Sequence, residues 1–391
     1  MKQNQILRTA SKKQKNGLKG MTIMDNESNR KYVKEWIRSW ACKEGSLNDT
    51  QDILKWVKTI ERNLQVEISE CSIESSNFWF YDDYNGEIAN RKRSFFSIKG
   101  IRRFDNNILI SEQPIIFQPE IGYLGIIGKK INGVFNFLMQ AKVEPGNINY
   151  VQISPTIQAT KSNFTRVHGG RLPLYFEYFE HASKYNIIYD QIQSEQSSRF
   201  LKKRNRNIIL VVEEDVPVFD NYKWMTLGQI KELMKYDNLI NMDTRTVIAG
   251  LPFSGFALDQ DDLTYIESEF RNVFFYNSIF KTENISELPQ IYKSINDYKM
   301  FQNDRIVEIP LYELLNWNID EFGITCKETA DFEVRYYKIF IDGREVKEWK
   351  QPLFKALGHA VFGLIITNIN DCMKILVKIK SEIGTFDRME L

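Results

Sequence analysis

Hydrophobic positions along the chain change their period near residue 65. Before that point apolar residues recur at helical spacing, at Tyr32, Val33, Trp36, Ile37 and Trp40 and then at Ile53, Leu54, Trp56, Val57 and Ile60. Aromatic and β-branched stretches such as NFWFYDDYNG and SFFSIKGIRRF then alternate with turn residues. The pattern therefore predicts two amphipathic helices followed by strands, an α+β fold.

Three further segments predict single elements. GYLGIIGKKINGVFNFLMQAK predicts two strands joined at Asn132-Gly133, because Asn-Gly favours a tight hairpin turn. RNIILVVEEDVP predicts another strand. TLGQIKELMKY predicts a helix with Thr226 as its N-cap. Residues 1–28 are polar and basic, which predicts a flexible tail.

Part of the sequence recurs further along the chain at a constant spacing. QPIIFQPEIGYLGIIGKKINGVFNFLMQAKVEPG lies without a gap over QPLFKALGHAVFGLIITNINDCMKILVKIKSEIG, and Pro114 and Gly125 recur as Pro352 and Gly363. We therefore predict a duplicated domain, with a first repeat at 29–240 and a second at 241–391. The second repeat is expected to be incomplete, because nothing in it corresponds to SPTIQAT.

A dense row of hydrogen-bonding side chains runs through FLMQAKVEPGNINYVQISPTIQATKSNFTRVHGG. Period-two alternation sets Phe137, Met139 and Ala141 on one face of a strand, and Gln140 and Lys142 on the other. The next segment alternates again, so Val151, Ile153, Pro155, Ile157 and Ala159 are expected to face one way. The opposite face is expected to carry Gln152, Ser154, Thr156, Gln158 and Thr160.

Two interpretations of this polar row remain open. An alternating strand pair is often a solvent-facing sheet surface. Here, however, the face carries neutral amides and hydroxyls with one cation, Lys142, and one carboxylate, Glu144. Such groups both donate and accept hydrogen bonds, which suits a polyhydroxylated, phosphorylated ligand. The row thus indicates either a solvated sheet or a sugar-nucleotide surface.

Composition narrows the function classes. The formal net charge of +1 argues against a general nucleic-acid or membrane-surface binder, which needs a basic excess. The four cysteines, Cys42, Cys71, Cys326 and Cys372, are far apart and lack metal-ligand spacing, so we expect free thiols and no metal site. The N-terminus lacks an apolar leader and the apolar runs are short. These features predict a cytoplasmic protein.

Two blocks of the sequence resemble a known family. The segment QPEIGYLGIIGKKINGVFNFLMQAKVEPGNINYVQISPTIQATKSNFTRVHGG resembles the signature of the NDP-hexose 2,3-dehydratases of deoxysugar biosynthesis, and WMTLGQIKELMKYDNLINMDTRTVIAGLPF resembles a second block. The resemblance implies tandem Nudix-like α+β domains and a homodimer. It also implies a hydro-lyase that converts a dTDP-linked 4-keto-6-deoxyhexose into a 3,4-diketo-2,6-dideoxy sugar nucleotide. The chain lacks a Glu-rich Nudix box, so the pyrophosphate should be bound intact.

The chain departs from the family pattern at two places. Phe164 stands where the family usually has Tyr, and full-length relatives continue beyond the position that matches Leu391. A truncated, catalytically inactive sugar-nucleotide-binding relative is therefore the alternative to an active dehydratase.

The implied reaction needs a base, an acid and donors for an enolate, but no cofactor, since no hydride moves. We consider Glu144, Lys142 and His168 as the catalytic groups, although Glu144 and Lys142 could equally form a salt bridge and His168 could be a structural loop residue. Arg166 is a candidate diphosphate clamp. The expected sugar and phosphate ligands are Gln140, Gln152, Ser154, Thr156, Gln158, Thr160 and Asn163.

The second block holds Asp243, Thr244 and Arg245. These residues either bind ligand or brace the junction between the repeats, and bracing is the favoured interpretation.

Overall fold

A computed structural model describes residues 26–165, 171–253, 258–280, 288–342 and 346–391, and it confirms a mixed α+β fold. Its helices are α1 (Asn26–Ala41), α2 (Thr50–Asn63), α3 (Lys161–Phe164), α4 (Phe176–Glu180), α5 (Leu227–Leu233), α6 (Met242–Ala249), α7 (Gln260–Glu269), α8 (Val273–Phe280) and α9 (Leu288–Phe301).

The strands fall into three larger sheets and one hairpin. They are β1 (Val66–Glu70), β2 (Trp79–Asp82), β3 (Glu87–Asn90), β4 (Ser97–Asp105), β5 (Ile108–Phe117), β6 (Gly122–Ile131), β7 (Val134–Val143), β8 (Val151–Ser154), β9 (Ile157–Ala159), β10 (Asn186–Ser194), β11 (Arg204–Val211), β12 (Tyr222–Thr226), β13 (Arg305–Ile309), β14 (Trp317–Asp320), β15 (Gly323–Cys326), β16 (Phe332–Ile341), β17 (Glu348–Ala356), β18 (Ile365–Ile369) and β19 (Cys372–Leu376).

The two predicted N-terminal helices are confirmed as α1 and α2. Trp36 on α1 is buried and donates its indole N–H to the Pro252 carbonyl oxygen at 2.8 Å. Asp49 caps α2 by accepting a hydrogen bond from the Gln51 backbone N–H. Because α1 begins at Asn26, residues 26–28 of the predicted tail are helical, whereas residues 1–25 lie outside the described part of the chain.

The central sheet has the order β10-β11-β6-β7-β12, with β11 parallel to β6. The predicted Asn132-Gly133 turn joins β6 to β7, and both residues have positive φ, 52° and 80°. This conformation matches a two-residue hairpin whose twist follows that of the strands. The predicted helix after Thr226 is α5, where Thr226 and Gln229 form a reciprocal capping box. The hairpin, the strand at 206–217 and the capped helix are all confirmed.

Both faces of the central sheet are buried. One core cluster unites α1, α2, α5 and α6 with one face of the sheet, and includes Phe137 and Met139. A second cluster lies on the other face, where Phe179 of α4 packs with Leu138. Leu138 shares the face of Gln140 and Lys142, but it lies where that face is covered by the second cluster, whereas the two polar residues lie nearer the end of β7.

The central sheet splits where β8 and β9 begin to pair. β8 pairs with the end of β7, whereas β9 pairs with the start of β6. Thr156 is fully buried at the split, where its hydroxyl accepts a hydrogen bond from the Ile127 N–H at 2.9 Å and donates one to the Leu138 carbonyl oxygen. The side chain thus replaces the backbone ladder at the point where β6 and β7 part.

The predicted phase of residues 151–159 was wrong. Val151 and Ile153 lie in the first core cluster, but Ile157 and Ala159 lie in the second, on the opposite face of the sheet. The phase changes because residues 151–159 form two strands that pair with different neighbours, rather than one continuous strand.

Two smaller sheets exchange their outer strands. The first small sheet has the order β13-β4-β3-β2, and the second has the order β1-β16-β15-β14; β5 and β17 pair with β4 and β16. β1 comes from the N-terminal half of the chain but pairs with β16, and β13 comes from the C-terminal half but pairs with β4. Each half of the chain therefore supplies one strand to the sheet of the other.

Several helices and strands in the two halves of the chain are separated by the same number of residues as Pro114 and Pro352 of the sequence repeat. This spacing relates α2 to α9 and β2 to β14 residue for residue, and it relates the β6–β7 turn to the β18–β19 turn, where Asn370 and Asp371 also have positive φ. Val247 and Ile248, which follow the predicted domain boundary at 240, pack in the first core cluster. The division into two domains stays a prediction.

Candidate active site

The split of the central sheet forms a cleft between two layers. One wall is the end of β7 with β8, and the other is the start of β6 with β9. α6 crosses the opening and contacts β6, β8 and β11. Ser154 on one wall and Gln158 on the other both bond to Asn241, the residue directly before α6. They can do so because the direction in which side chains point changes at Pro155-Thr156, between β8 and β9.

Lys142 and Glu144 form an ion pair at the mouth of this cleft, with the Lys142 Nζ 2.9 Å from Glu144 Oε1. The lysine side chain is 17% exposed and the glutamate 32%, so both are shielded but reachable. Gln158 holds the pair from the opposite wall, since its Nε2 donates to Glu144 Oε1 at 3.3 Å and its backbone carbonyl oxygen accepts from Lys142 at 3.4 Å. The predicted salt bridge is therefore present, within a polar cleft.

Asn241 ties the two walls together. Its Nδ2 donates to Ser154 Oγ at 2.8 Å and to Gln158 Oε1 at 3.2 Å. Its Oδ1 caps α6 by accepting from the Thr244 N–H at 2.8 Å, and the Thr244 hydroxyl donates to the Ile153 carbonyl oxygen at 3.0 Å. Thr244 therefore braces the fold, as favoured from the sequence.

Asp243 lies in the first turn of α6 and differs from its neighbours. It is half-buried, and no group in the described ranges of the chain donates a hydrogen bond to its carboxyl. Burial, followed by the negative charges of Glu195 and Glu144, raises the pKa of Asp243 to about 7, while Lys142 opposes the shift. The cleft therefore contains a carboxyl whose charged form is disfavoured by burial and by neighbouring negative charges.

The remaining residues of the polar row divide into two groups. The half-buried Gln140 and Gln152 and the exposed Asn163 have side-chain amides that bond to no described residue, so they are available to a ligand. Thr160 instead shares a hydrogen bond with Ser162 at 2.9 Å. Arg166 and His168 lie outside the described residues.

Phe164 follows the row on α3. Its ring stacks on Phe176, with centroids 5.0 Å apart, and meets the edge of Tyr123 at 5.5 Å. The apolar ring is thus part of an aromatic group next to the cleft.

A second charged group lies beside the cleft. Lys203 belongs to the basic stretch SEQSSRFLKKRNR, yet it is buried and donates to the Glu120 backbone carbonyl oxygen. Burial lowers the pKa of Lys203, while Glu120 and Glu195 oppose the change. Glu195 also accepts from Asn205 at 2.6 Å, so it links this group to Asp243.

The sequence did not single out Asn241 or Glu195, and it assigned Asp243 chiefly to bracing. The sequence offered one signal for these residues: Asn241 and Asp243 lie two positions apart in the second block that resembles the family. What was missing was the packing of α6 against β6, β8 and β11, which brings Asp243 within the influence of the Lys142 and Glu144 charges.

Neither a clustered metal-ligand set nor a membrane-spanning helix occurs in the described part of the chain. No three His, Cys, Asp or Glu side chains there lie together as metal ligands would. None of the helices in these residues is long and apolar enough to cross a bilayer.

Comparison with known proteins extends over nearly the whole chain. A model of the family described as NDP-hexose 2,3-dehydratase matches residues 50–251 and 288–391. Three similar curated proteins are each named dTDP-4-dehydro-6-deoxy-alpha-D-glucopyranose 2,3-dehydratase. The protein from Amycolatopsis orientalis is 30% identical over 378 residues, which is 95% of this chain and 75% of the relative.

The other two relatives agree. The protein from Streptomyces violaceoruber is 35% identical over 354 residues, 88% of this chain and 75% of the relative. The one from Saccharopolyspora spinosa is 34% identical over 320 residues, 81% of this chain and 65% of the relative. Both family-matched ranges include elements of the structure described above, and the first contains the whole cleft from Gln140 to Asp243. This chain therefore belongs to the NDP-hexose 2,3-dehydratase family.

Proposed function

We propose that this chain is a hydro-lyase that removes the C2 hydroxyl of a dTDP-linked 4-keto-6-deoxyhexose. The observation that carries this proposal is the family match over residues 50–251 and 288–391. The substrate follows from the names of the three relatives, each a 2,3-dehydratase of dTDP-4-dehydro-6-deoxy-glucopyranose. The product is the corresponding 3,4-diketo-2,6-dideoxy sugar nucleotide.

The reaction is a redox-neutral loss of water. The C4 ketone acidifies the proton on C3, and a base removes that proton to give an enolate with its charge on the C4 oxygen. The enolate electrons then form the C2–C3 double bond while the C2 hydroxyl leaves with a proton as water. The enol at C3 takes up a proton at C2 and becomes a ketone. A site for this reaction needs a base, an acid and a positive group near the C4 oxygen.

The Lys142–Glu144 pair supplies two of these groups. Glu144 is the base, because its carboxylate is oriented by Lys142 at 2.9 Å and by Gln158 at 3.3 Å. Lys142 carries the positive charge that stabilises the enolate. His168 is a candidate for the second proton transfer, and Arg166 for binding the diphosphate. Gln140, Gln152 and Asn163 offer amides to the sugar hydroxyls and phosphates.

Product analysis tests this function. The purified chain is incubated with dTDP-4-keto-6-deoxyglucose in D₂O without added cofactor or metal, and the products are followed by mass spectrometry and NMR. We expect the loss of one water and of the C2 hydroxyl, with deuterium entering at C2. Glu144→Gln and Lys142→Met should each lower kcat by about 100-fold or more, the usual contribution of a positioned proton-transfer or charged group.

An inactive sugar-nucleotide-binding relative is the alternative that the sequence left open, and none of the matches to named dehydratases favours it. If calorimetry shows that the chain binds the same sugar nucleotide, and mass spectrometry shows no loss of water from it over many hours, this alternative is correct. Release of dTMP on addition of Mg²⁺ would instead indicate a Nudix hydrolase.

We further propose that the fold is a tandem duplication of Nudix-like domains. Helices, strands and the hairpin turn recur at the constant spacing of the sequence repeat, which supports this interpretation. A homodimer and a cytoplasmic location also belong to the proposal. Light scattering of the purified chain would test the dimer, and cell fractionation would test the location.

A further inference from the structure

We propose that Asp243 is the general acid of this site, the group that gives a proton to the C2 hydroxyl as it leaves. This assignment rests on the proposed dehydration and assigns a second proton carrier to the same cleft. The O–H bond of the Asp243 carboxylic acid breaks as a new O–H bond forms on the C2 hydroxyl, and the C2–O bond breaks as the enolate electrons form the C2–C3 double bond and water departs. Asp243 is left as a carboxylate and regains a proton from solvent before the next turnover.

Position is the first support for this role. Asp243 stands in the first turn of α6, shortly after the residue that ties the two walls of the cleft together. α6 contacts β8 on one wall and β6 on the other, and Thr244, next to Asp243, donates to the Ile153 carbonyl oxygen of β8 at 3.0 Å. The Lys142–Glu144 pair is close enough for both charges to act on the Asp243 carboxyl. Asn241, two residues before Asp243, bonds to Gln158 at 3.2 Å, and Gln158 bonds to Glu144 at 3.3 Å, so hydrogen bonds connect the start of α6 to the proposed base.

The hydrogen-bond pattern is the second support. Unlike the amides of Gln140 and Gln152, two polar groups around the cleft are engaged within the protein: Asn241 bonds to Ser154 and Gln158, and Glu195 bonds to Asn205. Asp243 is different, because no donor in the described ranges approaches its carboxyl. A carboxyl held without donors loses the interactions that stabilise its charged form. It is thus prepared to carry a proton and to pass it to a ligand oxygen.

The charges around Asp243 act in the same direction. Glu195 and Glu144 directly follow β10 and β7, and their negative charges disfavour ionisation of the Asp243 carboxyl. Burial is the largest cause of the raised pKa of Asp243, whereas Lys142 and the position in the first turn of a helix favour the charged form. Glu144, by contrast, is directly paired with Lys142 and accepts from Gln158. Two carboxyls in one cleft thus have opposite environments, which is the arrangement that separates a general base from a general acid.

Two half-reactions in D₂O distinguish Asp243 from a structural residue. Removal of the C3 proton is seen as deuterium gained at C3 of recovered substrate, whereas loss of water measures the complete elimination. We expect D243N to keep C3 exchange within about threefold of the unmodified chain and to lose dehydration by about 100-fold or more. E144Q should lose both, because the base acts first. D237N, an exposed carboxyl in the turn before α6, is the matched control and should change neither.

Three outcomes would overturn the assignment. D243N could retain dehydration, or lose exchange and dehydration equally, in which case Asp243 does not act after proton removal. H168Q could instead show retained exchange without dehydration, which would make His168 the acid. If the unmodified chain does not dehydrate the substrate, the proposed function itself is refuted. This result is distinguishable from the three outcomes above, because each of them is measured on a variant of an active chain.

A measurement without substrate completes the test. In protein labelled with ¹³C-aspartate, one carboxyl resonance should titrate near neutral pH and be absent in D243N. Circular dichroism of D243N confirms that the variant is folded. If every aspartate titrates below about pH 5, the range of ordinary carboxyls, Asp243 is not the proton donor.

Discussion

The substitution Thr156→Val removes the hydroxyl that joins β6, β7 and the β8–β9 connection. Thr156 is fully buried, accepts from the Ile127 N–H at 2.9 Å and donates to the Leu138 carbonyl oxygen. Valine has nearly the same shape, so packing is kept while one backbone donor and one acceptor lose their partner. Each buried group left unsatisfied costs about 1–3 kcal/mol. We therefore expect the free energy of unfolding to fall by about 2–6 kcal/mol.

Urea unfolding followed by circular dichroism measures this change. Thr156→Ser keeps the hydroxyl and removes one buried methyl group, so it should cost only about 1 kcal/mol. A second control, Thr160→Val, alters a half-buried hydroxyl bonded only to Ser162 in the described structure, and should cost less than Thr156→Val. Equal losses in the Val and Ser variants of Thr156 would refute the structural role. A raised KM for Thr156→Val with unchanged stability would show instead that the hydroxyl binds substrate, the role predicted from the sequence.

Three further predictions concern stability. Burial raises the pKa of Asp243 to about 7, so between about pH 4 and 7 the folded protein keeps a proton on this carboxyl that the unfolded chain releases. Asp243 therefore lowers the free energy of unfolding as the pH rises through this range. Asp243→Asn should remove that slope and gain about 1–3 kcal/mol over the parent in urea melts at pH 8, with less gain at pH 5. Gly128→Ala would place a methyl group 2.4 Å from the Phe135 ring and should lower stability by about 1–3 kcal/mol in thermal melts, whereas Gly146→Ala, with open space around it, should not. Thr226→Ala deletes the capping box of α5 and should cost about 1–2 kcal/mol in urea unfolding; no loss would mean that the cap is not needed.

The sequence predicted the elements whose causes are local. The Asn132-Gly133 turn and the Thr226 cap depend on residues within a few positions, and both were correctly predicted. The phase change at Thr156 was missed, because it depends on which strand each segment pairs with. The environment of Asp243 was missed for a related reason: Lys142 and Glu195 come near it only when the sheet and α6 assemble.

Some residues of the candidate site were correctly predicted to come together, whereas the partners of others were not. Lys142, Glu144 and Gln158 come together as a row of polar residues suggested, since they lie at the ends of neighbouring strands. Ser154 and Thr156 belonged to the same row, yet both hydroxyls are bonded within the protein. A polar side chain in a strand predicts a hydrogen bond, but the sequence does not specify whether the partner is a ligand or the protein itself.

The exchange of β1 and β13 between the two small sheets has a consequence for how the protein is made and how its two halves depend on each other. On the ribosome, β1 must wait for β16, which is synthesised only in the C-terminal half of the chain, before its backbone groups find their partners. Such distant pairing slows folding and leaves open strand edges exposed to other chains. Separation of the two halves would leave each small sheet with a missing outer strand. Each half therefore stabilises the other through its exchanged strand, whether or not it contributes residues to the cleft.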